Sequence, residues 1–444
     1  MGSCPRCRSP TDVYVSTRLA PIAIAAAAVT ALAPVSPLVG LILANVVVLG
    51  LLVYDIWQAP HPNALGIERI APSVLTTNEV GQVTLRLHNP SRRPLSVTIR
   101  DATPPSGART PVVHRNRIGA EGGALDAQIA PARRGRLELG PVTVRVSGPI
   151  GLGGRQATLP IVDNLKVYPA LPGRSEVELR QRARLLQGGR RSTRLRGGGT
   201  DFDSLRDYHP DDEFRRINWN ATARAAKPIT NLYREERDQQ ILLLLDAGRT
   251  MAGTVAGLSR FEHALDAAIA LAELAARSGD HVGVMAFASR VEAMLSPRGG
   301  LDQPRRALDV LFDRQPSLDP TDYRGAFATL LSRHRRRSLL VLFTELTEES
   351  VMQPLFDALP VLLPRHLLMI GSIVDPEVLA LRSALPGSYE DAYLAAAAAQ
   401  SFSARNRASA HLRSLGVSVE DREPGRLAGA LADRYLQIKD AARL

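Results

Sequence analysis

The run Ile241-Leu242-Leu243-Leu244-Leu245-Asp246 follows closely on the segment GTDFDSLRDYHPDDEFRRINWNATAR, Gly199 to Arg224. Five consecutive aliphatic residues are too many for a strand with one wet face, so the run reads as a strand buried on both faces and ending in a carboxylate. In an open α/β sheet, ligands and partners meet the carboxyl ends of strands, which puts Asp246 where function is built. The preceding segment alternates acids and bases around Phe202, Tyr208, Phe214 and Trp219. That density of pairable charge exceeds what a plain surface loop needs.

Outward from this run, strands and helices alternate. Phe261 to Arg277, Arg305 to Phe312 and Tyr323 to His334 read as helices, and Val282 to Phe287, Leu339 to Phe343 and His366 to Ile370 as strands. Tyr389 to Leu415 reads as an alanine-rich helix, Val417 to Val419 as an edge strand, and Gly425 to Ile438 as a last amphipathic helix. The pattern predicts a doubly wound parallel sheet over 241–444. Upstream, Gln82 to His88, Leu95 to Arg100, Arg136 to Leu139 and Val142 to Val146 alternate with period two. Turn signals at Asn89-Pro90, Pro104-Pro105 and Gly148-Pro149 separate them, giving a β-sandwich-like domain over 62–170.

The chain has 444 residues and a net charge of +11, a balance that suits an anionic membrane surface, an acidic partner or nucleic acid. The N-terminus favours the membrane. Leu19 to Tyr54 carries no charged residue, and its roughly 36 residues divide at Pro34 to Pro37 into two apolar halves of about 17 or 18, each spanning ~27 Å. This predicts a two-helix transmembrane hairpin over 19–57 behind a tail at 1–18. Arg6, Arg8 and Arg18 precede the hairpin while its turn has no charge, which places the tail and the large domains in the cytoplasm. A signal peptide cleaved after Ala31-Leu32-Ala33 is the rival reading, and it also leaves those domains cytoplasmic.

Cys4 and Cys7 stand alone, without the second pair or histidine that a zinc site needs. The connector over 171–200 is crowded with arginine, from Arg180 to Arg196, but has no interleaved aromatics for base stacking. Nucleic-acid or anionic-lipid binding therefore rests on bulk charge. No Ser-His-Asp spacing, cysteine nucleophile or histidine pair suggests an enzyme. The carboxylates from Asp201 to Asp212 keep open the alternative of a carboxylate-dependent, metal-assisted hydrolase.

The loop Asp246-Ala247-Gly248-Arg249-Thr250 resembles the D-x-S-x-S metal loop of von Willebrand factor A domains. A strand-end carboxylate with hydroxyls nearby suits Mg²⁺ or another hard divalent ion. The resemblance implies Asp246 and Thr250 as ligands, completed by Thr321 and Glu345 from two further loops. Gly248 lacks the expected hydroxyl, and Glu345 is one methylene longer than the usual aspartate.

With the sheet placed, the chain resembles the domain of unknown function 58 family of membrane-anchored bacterial proteins. The matching parts are the hairpin, Arg134 to Pro141, Gly148-Pro149-Ile150-Gly151-Leu152, Lys166 to Pro169, and a motif within the charged segment over 201–240. That motif comprises Asp207, Tyr208 and Asp212, then Arg215, Arg216, Trp219 and Arg224. The resemblance implies a von Willebrand factor A-like domain and a location in the bacterial inner membrane. It also implies work beside a MoxR-type AAA+ ATPase, in assembly or maturation of envelope or metal-dependent proteins. The motif suits either a docking element or an internal salt-bridge brace, its arginines forking onto carboxylates in both cases.

Overall fold

A computed structural model describes residues 11–31, 37–91, 93–101, 113–179, 201–209, 214, 217–234, 239–347 and 349–441. Cys4, Cys7 and most of the basic connector lie outside the described residues. The chain divides into two compact units, Met1–Pro169 and Ala170–Leu444.

In the first unit a short strand, β1 (Asp12–Val15), precedes two helices, α1 (Leu19–Ala31) and α2 (Pro37–Gln58). Among the described residues only α2 lies in a stretch long and apolar enough to cross a membrane, Leu38–Ala64. Ten strands follow: β2 (Gly66–Ile70), β3 (Val74–Thr76), β4 (Gly81–His88), β5 (Leu95–Asp101), β6 (Val113–Ile118), β7 (Gly123–Ile129), β8 (Gly135–Leu139), β9 (Val142–Ser147), β10 (Gly153–Leu159) and β11 (Asp163–Tyr168). They form three sheets, ordered β1-β10-β9-β5-β6, β2-β4-β7 and β3-β11-β8. The period-two pattern turns Val83, Leu85 and Leu87 of β4 inward, as it does Val142, Val144 and Val146 of β9. Buried Arg69 crosses between strands, donating to Asp101, to Asp163 Oδ2 at 3.2 Å and to the carbonyls of Leu139, Gly140 and Ile161. Acceptors of this kind for its two terminal nitrogens make a buried guanidinium tolerable.

The second unit opens with an antiparallel hairpin of β12 (Asp201–Asp207) and β13 (Ile229–Arg234), with helix α3 (Trp219–Ala225) between them. Its main sheet runs β18-β17-β14-β19-β20-β21. The strands are β14 (Gln240–Asp246), β17 (His281–Phe287), β18 (Val291–Arg298), β19 (Leu339–Phe343), β20 (Leu367–Ile373) and β21 (Ser418–Arg422), with the small pair β15 (Thr254–Val255) and β16 (Leu258–Ser259) between β14 and β17. All pairings in the main sheet are parallel except β17 with β18. Helices α4 (Arg260–Arg277), α5 (Gln303–Leu311), α6 (Tyr323–Arg333), α7 (Glu349–Ala358), α8 (Pro376–Ser383), α9 (Tyr389–Ser414) and α10 (Leu427–Asp440) connect the strands.

Ile241 to Leu245 are wholly buried, as the unbroken aliphatic run requires of a strand flanked by β17 and β19. Val291–Arg298 carries no strict alternation and was not legible as the antiparallel edge; nor were α7, which contains Pro354, and α8. From β14 the chain goes outward to β17 and β18, then returns across β14 to β19, β20 and β21. The strand order therefore reverses between β14 and β19. A crevice opens at such a reversal, at the carboxyl ends of the two strands.

Candidate functional site

Asp246 ends β14 at this reversal and is wholly buried. Its Oδ1 accepts from the Gly248 amide at 2.8 Å and from the Thr321 hydroxyl at 2.7 Å. Its Oδ2 lies 2.7 Å from both the Tyr323 and the Thr344 hydroxyls, which are 2.9 Å from each other. These two hydroxyls share two protons among three contacts, so each can donate to the carboxylate. Burial, and after it the charge of Asp246, pushes the Tyr323 phenol well above its ordinary pKa, so its proton stays in place. Thr321 and Tyr323 come from the loop entering α6, and Thr344 from the end of β19, so three loops converge on one carboxylate.

Of the four expected metal ligands, the structure joins Asp246 and Thr321. Thr250 lies in a short 3-10 turn, Arg249–Ala252, and makes no hydrogen bond to Asp246. Glu345 turns toward two guanidiniums, with Oε1 2.6 Å from Arg405 Nη1 and Oε2 3.1 Å from Arg260 Nε. A Cβ on Gly248 would lie 2.0 Å from Thr321 Oγ1, so the Thr321 hydroxyl fills the space a serine would use. Among the described residues no three His, Cys, Asp or Glu side chains gather as a metal would need. As arranged here, these residues do not fit a divalent ion, because protein donors occupy both oxygens of Asp246 and arginines hold Glu345.

Arg405 is the residue the sequence reading missed. It binds both oxygens of Asp421 at 2.6 Å, Glu345, the Ser372 hydroxyl and the carbonyls of Leu346 and Ile373. Burial works against its charge, but the hydrogen bonds it donates to Asp421 and the charge of Glu345 outweigh that and raise its pKa above the ordinary arginine value. It sits 60 residues beyond Glu345 on α9, and no local pattern announces the pairing.

The motif segment is built on the β12–β13 hairpin. Asn218 caps α3, accepting from the Ala221 amide at 3.0 Å, and its amide reaches Asn231 Oδ1 across the hairpin at 3.0 Å. The chain leaves α3 through Ala226 at φ 53 and returns to β13. Asp207 pairs with Lys227 at 2.9 Å, both exposed. Trp219 and Phe214 are 60% and 68% exposed, and their rings meet edge to face at 5.6 Å. Arg224 is exposed and has no ion-pair partner among the described residues. Tyr208 is half-buried beside Asp207. Asp212, Arg215 and Arg216 lie outside the described residues.

Residues 204–392 match the model of a family described as protein of unknown function DUF58. Over that span the chain is similar to the DUF58 family. The DUF58 span takes in the exposed aromatic pair, the Asp246 cluster and Glu345. No curated protein matches the chain. Among solved structures it is similar to BatB, a conserved hypothetical protein from Bacteroides thetaiotaomicron, at 13% identity and a TM-score of 0.31, covering 46% of this chain and 100% of that one. It is similar also to an aerotolerance-related membrane protein from Bacteroides fragilis, at 13% identity and a TM-score of 0.28 over the same shares. At such scores nothing about function passes from either protein to this one.

Proposed function

We propose that this protein is a non-enzymatic, membrane-tethered adaptor whose β12–β13 hairpin docks a MoxR-type AAA+ ATPase, in support of assembly or maturation of envelope or metal-dependent proteins. The observation that carries the reading is the exposed Trp219–Phe214 pair, whose Trp219 opens a helix capped by Asn218. Two large aromatic faces left to solvent cost hydrophobic free energy and mark an interaction site. Exposed Arg224 and Asp207 give that site a charged rim of both signs, the anatomy of a protein–protein contact rather than of an internal brace.

The tether is a two-helix hairpin with both ends on one side. Support comes from a single loop in the first unit. Immediately before α1, β1 pairs with β10, and the Ser16 amide donates to Leu152 O at 2.8 Å. At the end of α2, buried Asp55 accepts from the amides of Ile150, Leu152 and Gly153 at 2.7, 2.7 and 2.9 Å. Both ends of the apolar pair are fastened to the same stretch of chain, as a segment that enters and leaves by one face of the bilayer requires. With Arg18 at the entry, that face is cytoplasmic. In the other unit, the strand order around β14 supports a von Willebrand factor A-like sheet.

The test is recovery of the tagged full-length protein from its own membranes after mild crosslinking, beside Phe214→Ala/Trp219→Ala and Arg224→Ala variants. A MoxR-type ATPase recovered with the wild type and lost from the aromatic variant, with its melting temperature unchanged, supports the adaptor. Absence of any ATPase from the wild-type preparation sinks it.

A further inference from the structure

Glu345, turned away from Asp246, lines a cleft of about 360 Å³ at the carboxyl ends of β19 and β20, walled by α9 and the start of α4. A volume of this order accommodates a few residues of peptide. Arg260 enters the cleft with a side chain only 19% exposed. Its Nε faces Glu345 Oε2 outside hydrogen-bonding geometry, leaving both atoms buried without a hydrogen bond. No described residue bonds its terminal nitrogens. Gly253 makes room for the guanidinium, since a Cβ there would lie 2.3 Å from Arg260 Nη1. Arg405, by contrast, spends its donors inside the protein. A mostly buried guanidinium with an open fork is matched by a planar anion that can take two parallel hydrogen bonds.

The surrounding charge selects the anion. Arg260 and Arg405 are balanced by Glu345 and Asp421, and Asp375 at the cleft adds one negative charge. The cleft is then one charge negative overall, so a phosphate dianion meets more repulsion than a carboxylate monoanion, which the single open fork of Arg260 can offset. The remaining lining suits a polypeptide. The Thr347 hydroxyl and Glu345 Oε2 are buried with no hydrogen bond among the described residues, while Gln400 and Ser401 add amide and hydroxyl groups. Backbone N–H and C=O groups satisfy such a mixture, and Val374, Val378 and Ala397 supply an apolar wall for a flanking side chain.

We propose that this cleft binds an acidic side chain of a partner polypeptide, the carboxylate seated on Arg260 and the flanking backbone on Thr347 and Glu345. The site needs no metal, and it is independent of the exposed aromatic pair on the β12–β13 hairpin.

The test uses full-length protein in detergent and two fluorescein-labelled, end-blocked peptides, Ala-Val-Asp-Val-Ala and its Asn counterpart, read by fluorescence polarisation. The Asp peptide is expected to bind at least tenfold more tightly than the Asn peptide, and excess acetate to compete only weakly. Arg260→Gln removes the fork, and Ala397→Trp obstructs the cleft from an exposed helix position without touching the ion pairs. Each is expected to abolish the Asp preference, with thermal melts confirming that the Ala397→Trp protein is folded. Equal binding of the two peptides, no binding of either, or an Asp preference undiminished in folded Ala397→Trp would each overturn the proposal. Acetate competing as well as the Asp peptide would overturn the polypeptide and leave a small-acid site.

Discussion

Asp55 and Asp246 are both wholly buried, yet they are satisfied by different means. Asp55 draws its three donors from backbone amides of one loop, those of Ile150, Leu152 and Gly153. Asp246 draws one amide from its own loop and three hydroxyls from two distant segments. The first arrangement takes every donor from one glycine-dependent turn, although that turn lies at least 95 residues along the chain from the carboxylate. Gly151 takes φ +79, and a Cβ on Gly148 would come within 2.3 Å of Asp55. The second depends on the sheet being assembled, because Thr321, Tyr323 and Thr344 reach Asp246 only when β14 and β19 are side by side. A carboxylate held by a backbone nest reports that one turn has formed, whereas one held by hydroxyls reports that the whole sheet end has.

The sharpest way to break this contrast is Asp55→Ala, which orphans three amides at once. An unfolding cost of about 3–5 kcal/mol is expected, read by denaturant titration in detergent, together with protease sensitivity at the α2–β-sheet junction. Gly148→Val is expected to cost about 3 kcal/mol by overlap with Asp55. On the other side of the comparison the donors are distributed, so single losses are milder. Tyr323→Phe or Thr344→Val is expected to cost about 1–2 kcal/mol each, and the double variant less than the sum, because the two hydroxyls contact each other as well as Asp246.

Asp266 on α4 sharpens the comparison from its weak end. Its two oxygens share a single amide donor, Gly173, at 3.0 Å. Burial, only partly offset by that hydrogen bond and by Arg174, raises its pKa to about 6. A carboxyl that holds its proton more tightly when folded stabilises the fold at low pH, and that contribution is lost as pH rises from the ordinary value of 3.8 through about 6. Asp266→Asn is therefore expected to match the wild type below pH 4 and to be slightly more stable at pH 7, by less than about 1 kcal/mol since the group is partly solvated. Melting curves across that pH range read the difference.

This contrast also marks what the sequence could and could not tell. Ile241 to Leu245 announced a buried parallel strand ending at Asp246, because the signal is local. The period-two strands of the first unit were legible for the same reason, and Gly148-Pro149-Ile150-Gly151-Leu152 stood out as a motif without revealing that Asp55 was what it held. Thr321 was found through a family pattern, but Tyr323 and Thr344 were not, since nothing in their neighbourhood distinguishes a hydroxyl aimed at Asp246 from one that packs. Glu345 was placed with Asp246 by the same family resemblance. The structure gives it to Arg405, and that partner is set by how α9 lies across the sheet.

The claim on which the comparison rests is that protein donors, rather than a cation, complete the Asp246 cluster. Thermal unfolding of the full-length protein in detergent, with and without millimolar Mg²⁺ or Mn²⁺, tests it most directly. The account predicts no shift in melting temperature for the wild type with either ion. A rise of several degrees that disappears in Asp246→Asn would contradict it and restore Asp246 as a metal ligand.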